Sequence, residues 1–165
     1  SFGELIMKFK TILLAMLFIL IQPINAKSSE YDTGIKLASC AGKSKYIAFM
    51  LKDNESYIDA QYHSLKEGRY KLSATHSFIK YGMSKNSSKE HASEIMNEEY
   101  IALALQYSDF ISRPIGKDPL TIRGNKNDAY RIDKLNEIID SSSIKECTAL
   151  EDTVKSYVKE YRMIN

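Results

Sequence analysis

The sequence contains no tryptophan, three prolines, seven glycines and two cysteines in 165 residues. So few prolines and glycines argue against an all-β chain, whose many tight turns draw on both. No Cys-x-x-Cys-His occurs, which excludes covalent c-type haem, and no Gly-x-Ser-x-Gly marks a hydrolase nucleophile. Charge of one sign is lacking too. Lys and Arg number 23 against 21 Asp and Glu, for a net charge of +2. Such a balance makes no field that demands a nucleic acid or an anionic membrane. A membrane-spanning run is also missing. The apolar stretch Ile12–Ile21 is about half of the ~20 residues that a spanning helix needs.

What is present reads as one globular domain. Charged residues make up 27% and apolar residues 44%, too apolar for disorder. Lys8 and Lys10, the run Ile12–Ile21 and the ending Gln22-Pro23-Ile24-Asn25-Ala26 follow the order of a secretory signal peptide, with cleavage expected after Ala26. Met7 then reads as the start, and Ser1–Ile6 as an upstream remnant. The division is residues 1–26 as remnant and signal, and 27–165 as a single helical domain. No Cys follows the cleavage point, which argues against a lipid anchor. The expected location is periplasmic or secreted. In an oxidising compartment, the simplest reading of Cys40 and Cys147 is a disulfide between the first and last helices. Closing a loop of about 100 residues is worth roughly 4–5 kcal/mol in the chain-entropy account.

The periodicity predicts an all-α domain, a four- or five-helix bundle. In Tyr31–Lys52, Leu37, Ala41, Ser44, Ala48 and Leu51 recur at steps of four and three. They are small or medium-sized and Gly42 lies beside them, so other helices can approach closely. A second helix is expected from Glu55 to Gly82, capped by Asp53 or Asn54, with Ile58, Tyr62, Leu65, Leu72, Ile79 and Met83 as its core stripe. Gly68 interrupts it and suggests a kink or a close contact. Ser87-x-x-Glu90 has the form of a capping box for a third helix, which carries Ala92, Met96, Tyr100, Leu103, Tyr107 and Phe110. Ser112–Asn125 contains two prolines and two glycines and reads as a long connection. A fourth helix is expected from Asn127-Asp128, with Ile132, Leu135, Ile138 and Ile139. A second capping-box match, Ser143-x-x-Glu146, predicts a fifth with Cys147, Leu150, Val154, Tyr157 and Tyr161.

The Ser-Cys-Ala-Gly near the start of the first helix and the late Cys147-x-x-Leu150 resemble a loose group of small exported helical bacterial proteins without an assigned activity. That resemblance implies the export and the helical layout, and carries no catalytic residue.

Candidate chemistry is sparse. Asp59 and His63 at i,i+4, and His91 and Glu94 at i,i+3, each share a helix face and form metal-like pairs. Neither makes the ligand set of a di-iron bundle, so no metal and no cofactor is assigned. Ser77-x-x-Lys80 and Ser142-x-x-Lys145 match a Ser–Lys hydrolase fragment, without its companion motifs. Gly42-Lys43-Ser44 lacks the upstream glycine of a phosphate loop. Glu98 and Glu99 are adjacent on a helix and point apart. The 11 tyrosines read as amphipathic core filler or as an aromatic binding surface. The basic connection, with Arg113, Lys117 and Arg123, and nearby Tyr107 are the expected partner-binding residues. The functional expectation is a non-enzymatic exported protein that binds a protein or envelope partner. The alternative is a small-ligand or metal carrier with a pocket between helices. The oligomeric state is not set by the sequence.

Overall fold

The structure is a computed structural model and describes residues 29–53, 55–112 and 133–164, without the side chains of 108–112. Among these residues there are six helices and no strand: α1 (29–53), α2 (Tyr57–Tyr81), α3 (Lys85–Ser112), α4 (133–139), α5 (Ser142–Ala149) and α6 (Glu151–Ile164). The chain is thus an all-α bundle with one disulfide, Cys40–Cys147, at a Cα separation of 5.6 Å. The signal region 1–26, the connection after Ser112 and the start of the fourth helix lie outside the described residues.

The small residues of α1 let it serve as the central helix. Leu37, Ala38, Ala41, Ser44, Tyr46, Ile47 and Met50 are all buried, which covers more than one face. Gly42 is part of the reason. A Cβ there would lie 2.7 Å from Glu99 Cβ and closer still to the Met96 carbonyl oxygen, so α3 rests against bare backbone. Gly34 does the same for α2, where an added Cβ would stand 2.5 Å from Cε1 of the Phe78 ring. Gly68 has nothing within 4 Å and marks no close contact.

The core falls into two clusters along α1. The first joins Leu37, Cys40 and Ala41 to Tyr70, Ala74 and Phe78 of α2, Ala92 and Met96 of α3, Cys147 and Val154. The second joins Tyr46, Ile47 and Met50 to Tyr107 of α3 and Leu135 of α4, with Ile138, Ile139 and Ile144 packed against it.

Several boundaries differ from expectation, each for a local reason. The expected fifth helix is two. The chain leaves helical geometry at Leu150 (φ −89°, ψ 0°). The Cys147 carbonyl, at the end of α5, accepts from the Tyr70 hydroxyl at 2.9 Å. The same carbonyl also accepts from the Leu150 N–H at 3.1 Å, so the buried Tyr70 adds a second bond at the helix end. Ser84, not Ser87, stands at the start of α3, where its Oγ accepts from the Ser87 N–H at 3.3 Å. Ser141, not Ser143, is the N-cap of α5, and Ser56, not Asp53, that of α2. The end of α2 is as expected. Gly82 adopts φ 115°, its N–H bonds Ile79 O, and the Met83 N–H bonds Phe78 O at 3.0 Å, a Schellman closure.

The largest difference is the face that α2 buries. Ile58, Tyr62 and Leu65, expected in the core, are more than half exposed, Ile58 at 85%. The buried face is instead Tyr70, Ser73, Ala74, Ser77 and Phe78. Small residues at four-residue steps let α1 and α6 close on that side, as Gly42 does for α3.

Candidate functional site

The fully buried Ser77 leads to the densest polar cluster. Its hydroxyl donates to the Glu30 carbonyl oxygen at 2.6 Å and to Glu30 Oε2 at 3.1 Å. The Tyr157 hydroxyl donates to Glu30 Oε2 at 2.6 Å, and Lys80 Nζ lies 3.2 Å from Glu30 Oε1. Lys80 also reaches Glu160 at 3.6 Å, and the buried His76 donates from Nε2 to Glu160 Oε2 at 2.9 Å. Thus α1, α2 and α6 are joined by charge-assisted bonds between residues up to 127 positions apart.

The titration behaviour follows from this geometry. Burial pushes the Glu30 carboxyl up, but the bonds from Tyr157, Lys80 and Ser77 outweigh it and hold it below its ordinary value. Glu160 is also held down, chiefly by the hydrogen bonds from His76 and Ser156. Burial, the hydrogen bond to Glu30 and the Glu30 charge push Tyr157 up to about 12. Burial acts to lower Lys80, but Glu30, Tyr157 and Glu160 raise it.

The cluster contains the Ser77-x-x-Lys80 match, and its chemistry runs against nucleophilic catalysis. A Ser–Lys pair needs an accessible hydroxyl and a neutral amine. Here the hydroxyl is wholly buried with its proton committed to Glu30, and the amine is stabilised as a cation. The cluster fastens three helices.

The metal-like pairs stay apart. His91 bonds the Tyr31 hydroxyl at 3.1 Å, packs on the Phe78 ring and lies 3.8 Å from Glu94. His63 sits fifteen residues before Phe78 on α2, roughly 22 Å along the helix axis. Its pKa is lowered by burial and by the Lys66 charge, with Asp59 opposing. Among the described residues no group of three or more His, Cys, Asp or Glu is placed to hold a metal.

Of the expected partner-binding residues, Arg113, Lys117 and Arg123 lie outside the described residues. Tyr107 is a correction. It is buried in the second core cluster, with its ring against Tyr46 at 6.1 Å. Its place in an amphipathic stripe of α3 explains this, because that stripe faces α1.

The exposed aromatic and aliphatic surface lies elsewhere. A groove of about 460 Å³ runs between α1, α2 and α3, lined by Ala48, Phe49, Tyr57, Ala60 and Tyr100 with Lys45, Lys52 and Glu67 among its polar residues. Phe49 meets the Tyr100 ring edge-on at 6.3 Å, and Lys45 Nζ stands 5.1 Å over the same ring. Beside the groove, α2 turns Ile58, Tyr62 and Leu65 outward, and α3 exposes Ile101 and Leu105. The stripe was visible in the sequence, but its direction was not. The signal that could have corrected it is Ser73-Ala74…Ser77-Phe78, a second face with smaller residues.

No protein-family model, curated protein or solved structure matches the chain. No described helix is long and apolar enough to cross a membrane.

Proposed function

We propose that the protein is an exported, non-enzymatic bundle that binds a protein or cell-envelope partner through the α1–α2–α3 face. One observation carries this reading. Phe49, Tyr57, Ile58, Tyr62 and Leu65 are each more than half exposed. Their summed exposed side-chain area is on the order of 600 Å² and mainly apolar, comparable to the largest patch of a typical monomer, which is often a functional surface. Aromatic residues that combine area with few rotatable bonds suit such a face. Export is supported by the basic, apolar and small-residue order of the first 26 residues and by the disulfide, which persists in oxidising compartments. The location is the periplasm or the exterior. The cell-envelope setting also agrees with the sequence resemblance to small exported helical proteins.

The test is site-specific photo-crosslinking in the source cell, from Phe49 or Leu65 on the face and from Lys155 on α6 as the control. One defined product from both face positions and none from Lys155 is expected. The same products from all three positions, or none from the face, would remove the reading. A product of twice the chain's mass would make the partner a second copy.

A further inference from the structure

A second cavity lies on another side of α1, away from the apolar face. It is a cleft of about 510 Å³ between α1, α3 and α5. Its apolar lining is Ile35, Ala149, Leu150 and the Cys40–Cys147 bridge. The volume is within the range of small-molecule sites, which pair an apolar lining with a few polar groups.

The polar groups here are four charges. Lys36 and Lys43 come from α1, one turn before Cys40 and nearly one turn after it. Glu99 comes from α3 and Glu146 from α5. None of the four makes an ion pair or hydrogen bond among the described residues, and two cations and two anions therefore line one cleft without meeting. Elsewhere opposite charges at comparable positions do pair, as Lys66 with Glu151 at 3.2 Å and Lys134 with Glu137 at 2.7 Å. A ligand of one sign would satisfy half of this set and face repulsion from the other half. A zwitterion with an apolar body satisfies both halves, its carboxylate toward a lysine, its ammonium toward a glutamate and its side chain on the disulfide floor.

We propose that this cleft is a binding site for a small apolar zwitterion, an amino acid with an aliphatic side chain or a short peptide of the same kind. Free amino acid and peptide share the chemistry, and the cleft is wide enough for either. The disulfide then has a second role beside the staple, since it holds α5, and with it Glu146 and Leu150, opposite Lys36 and Lys43.

The test is a chemical-shift titration of the intact, oxidised protein with L-leucine, with the dipeptide Leu-Leu, and with N-acetyl-leucine amide, which keeps the side chain and lacks both charges. Saturable shifts at Ile35, Ser39 and Leu150 are expected with at least one zwitterion. The tighter of the two identifies the source as amino acid or peptide. The uncharged analogue should bind roughly tenfold more weakly or worse, and Lys43→Gln and Glu99→Gln should each cost roughly fivefold to tenfold in affinity. Lys155→Gln on α6 should leave affinity unchanged. Thermal melts of each variant check that folding is intact. Equal binding of the uncharged analogue, unchanged affinity in both cleft variants, or no shift with either zwitterion near its solubility limit would each overturn the proposal.

Discussion

The two halves of the bundle solve the same packing problem by different means. Around the first core cluster the helices are tied covalently by Cys40–Cys147 and electrostatically by Glu30, Lys80, Tyr157, His76 and Glu160. The second cluster is built on Tyr46, Ile47, Met50, Tyr107 and Leu135, and Phe49, Tyr57, Ile58, Tyr62 and Leu65 remain outside it. The first half therefore joins polar groups across helices far apart in sequence, while the second leaves apolar side chains exposed. The covalent and charge-assisted ties belong to the first half, and the exposed aromatic and aliphatic side chains to the second.

The largest expected effect comes from removing the staple. Cys40→Ala with Cys147→Ala opens a link across 107 positions and should lower unfolding free energy by about 4 kcal/mol, with the wild type matching the variant under reductant. Urea unfolding with and without reductant reads this directly. A loss under 1 kcal/mol would mean that the ion pairs and packing hold the first half without the bond.

Glycines sharpen the contrast between contact and open surface. Gly42→Ala must push α3 away from α1 and should cost about 2–3 kcal/mol. Gly68→Ala, in an exposed helix interior with nothing within 4 Å, should add about 0.5–1 kcal/mol. Thermal melts of both test the pair, and equal effects would contradict the packing described.

Acid should weaken the first half selectively. The folded pKa values of Glu30 and Glu160 are lowered, so the stability they add is fully present above the ordinary carboxylate value of about 4.3 and is lost as pH falls through their lowered values. Glu30→Gln should flatten that acid limb. Tyr157→Phe, which removes one buried bond to Glu30, should cost about 1–2 kcal/mol near neutral pH. Unfolding curves from pH 6 down to about 2 provide the check, and an unchanged slope in Glu30→Gln would remove Glu30 from the account.

The smallest effect belongs to the open face. Leu65→Ser should change stability by no more than about 0.5 kcal/mol, because its side chain contributes little to the core, while crosslinking from Phe49 should weaken. A loss above 2 kcal/mol would show that the outward stripe of α2 is covered by the chain itself.

Much of the architecture was legible before any coordinates. Steps of three and four placed α1, the small residues beside Gly42 announced close helix contacts, and Gly82 ended α2. The pairing of the two cysteines followed from their even count and an expected oxidising compartment. The candidate surface was half legible. Ile58, Tyr62 and Leu65 are recognisable as one stripe, yet the stripe faces outward and not into the core. Tyr107, on the apolar stripe of α3 and also expected at a partner surface, lies in the core. The four charges of the disulfide cleft come from three helices and have no common motif, so no local pattern could gather them.

Local chemistry by itself determined the all-α class, most of the helices and the staple, because helix period, end signals and cysteine pairing are properties of short stretches or simple counts. Tertiary structure alone decided which face of α2 turns inward, where the last helix breaks, and that Ser77 and Lys80 serve Glu30 and not a substrate. Those outcomes depend on which distant partners satisfy a given polar group. The deciding bonds join Tyr70 to Cys147 and Glu30 to Tyr157, 77 and 127 positions apart. Hydrophobic periodicity says that a helix has an apolar stripe. Only packing, through close approach at small residues and pairing of buried polar groups, selects the side that leaves water.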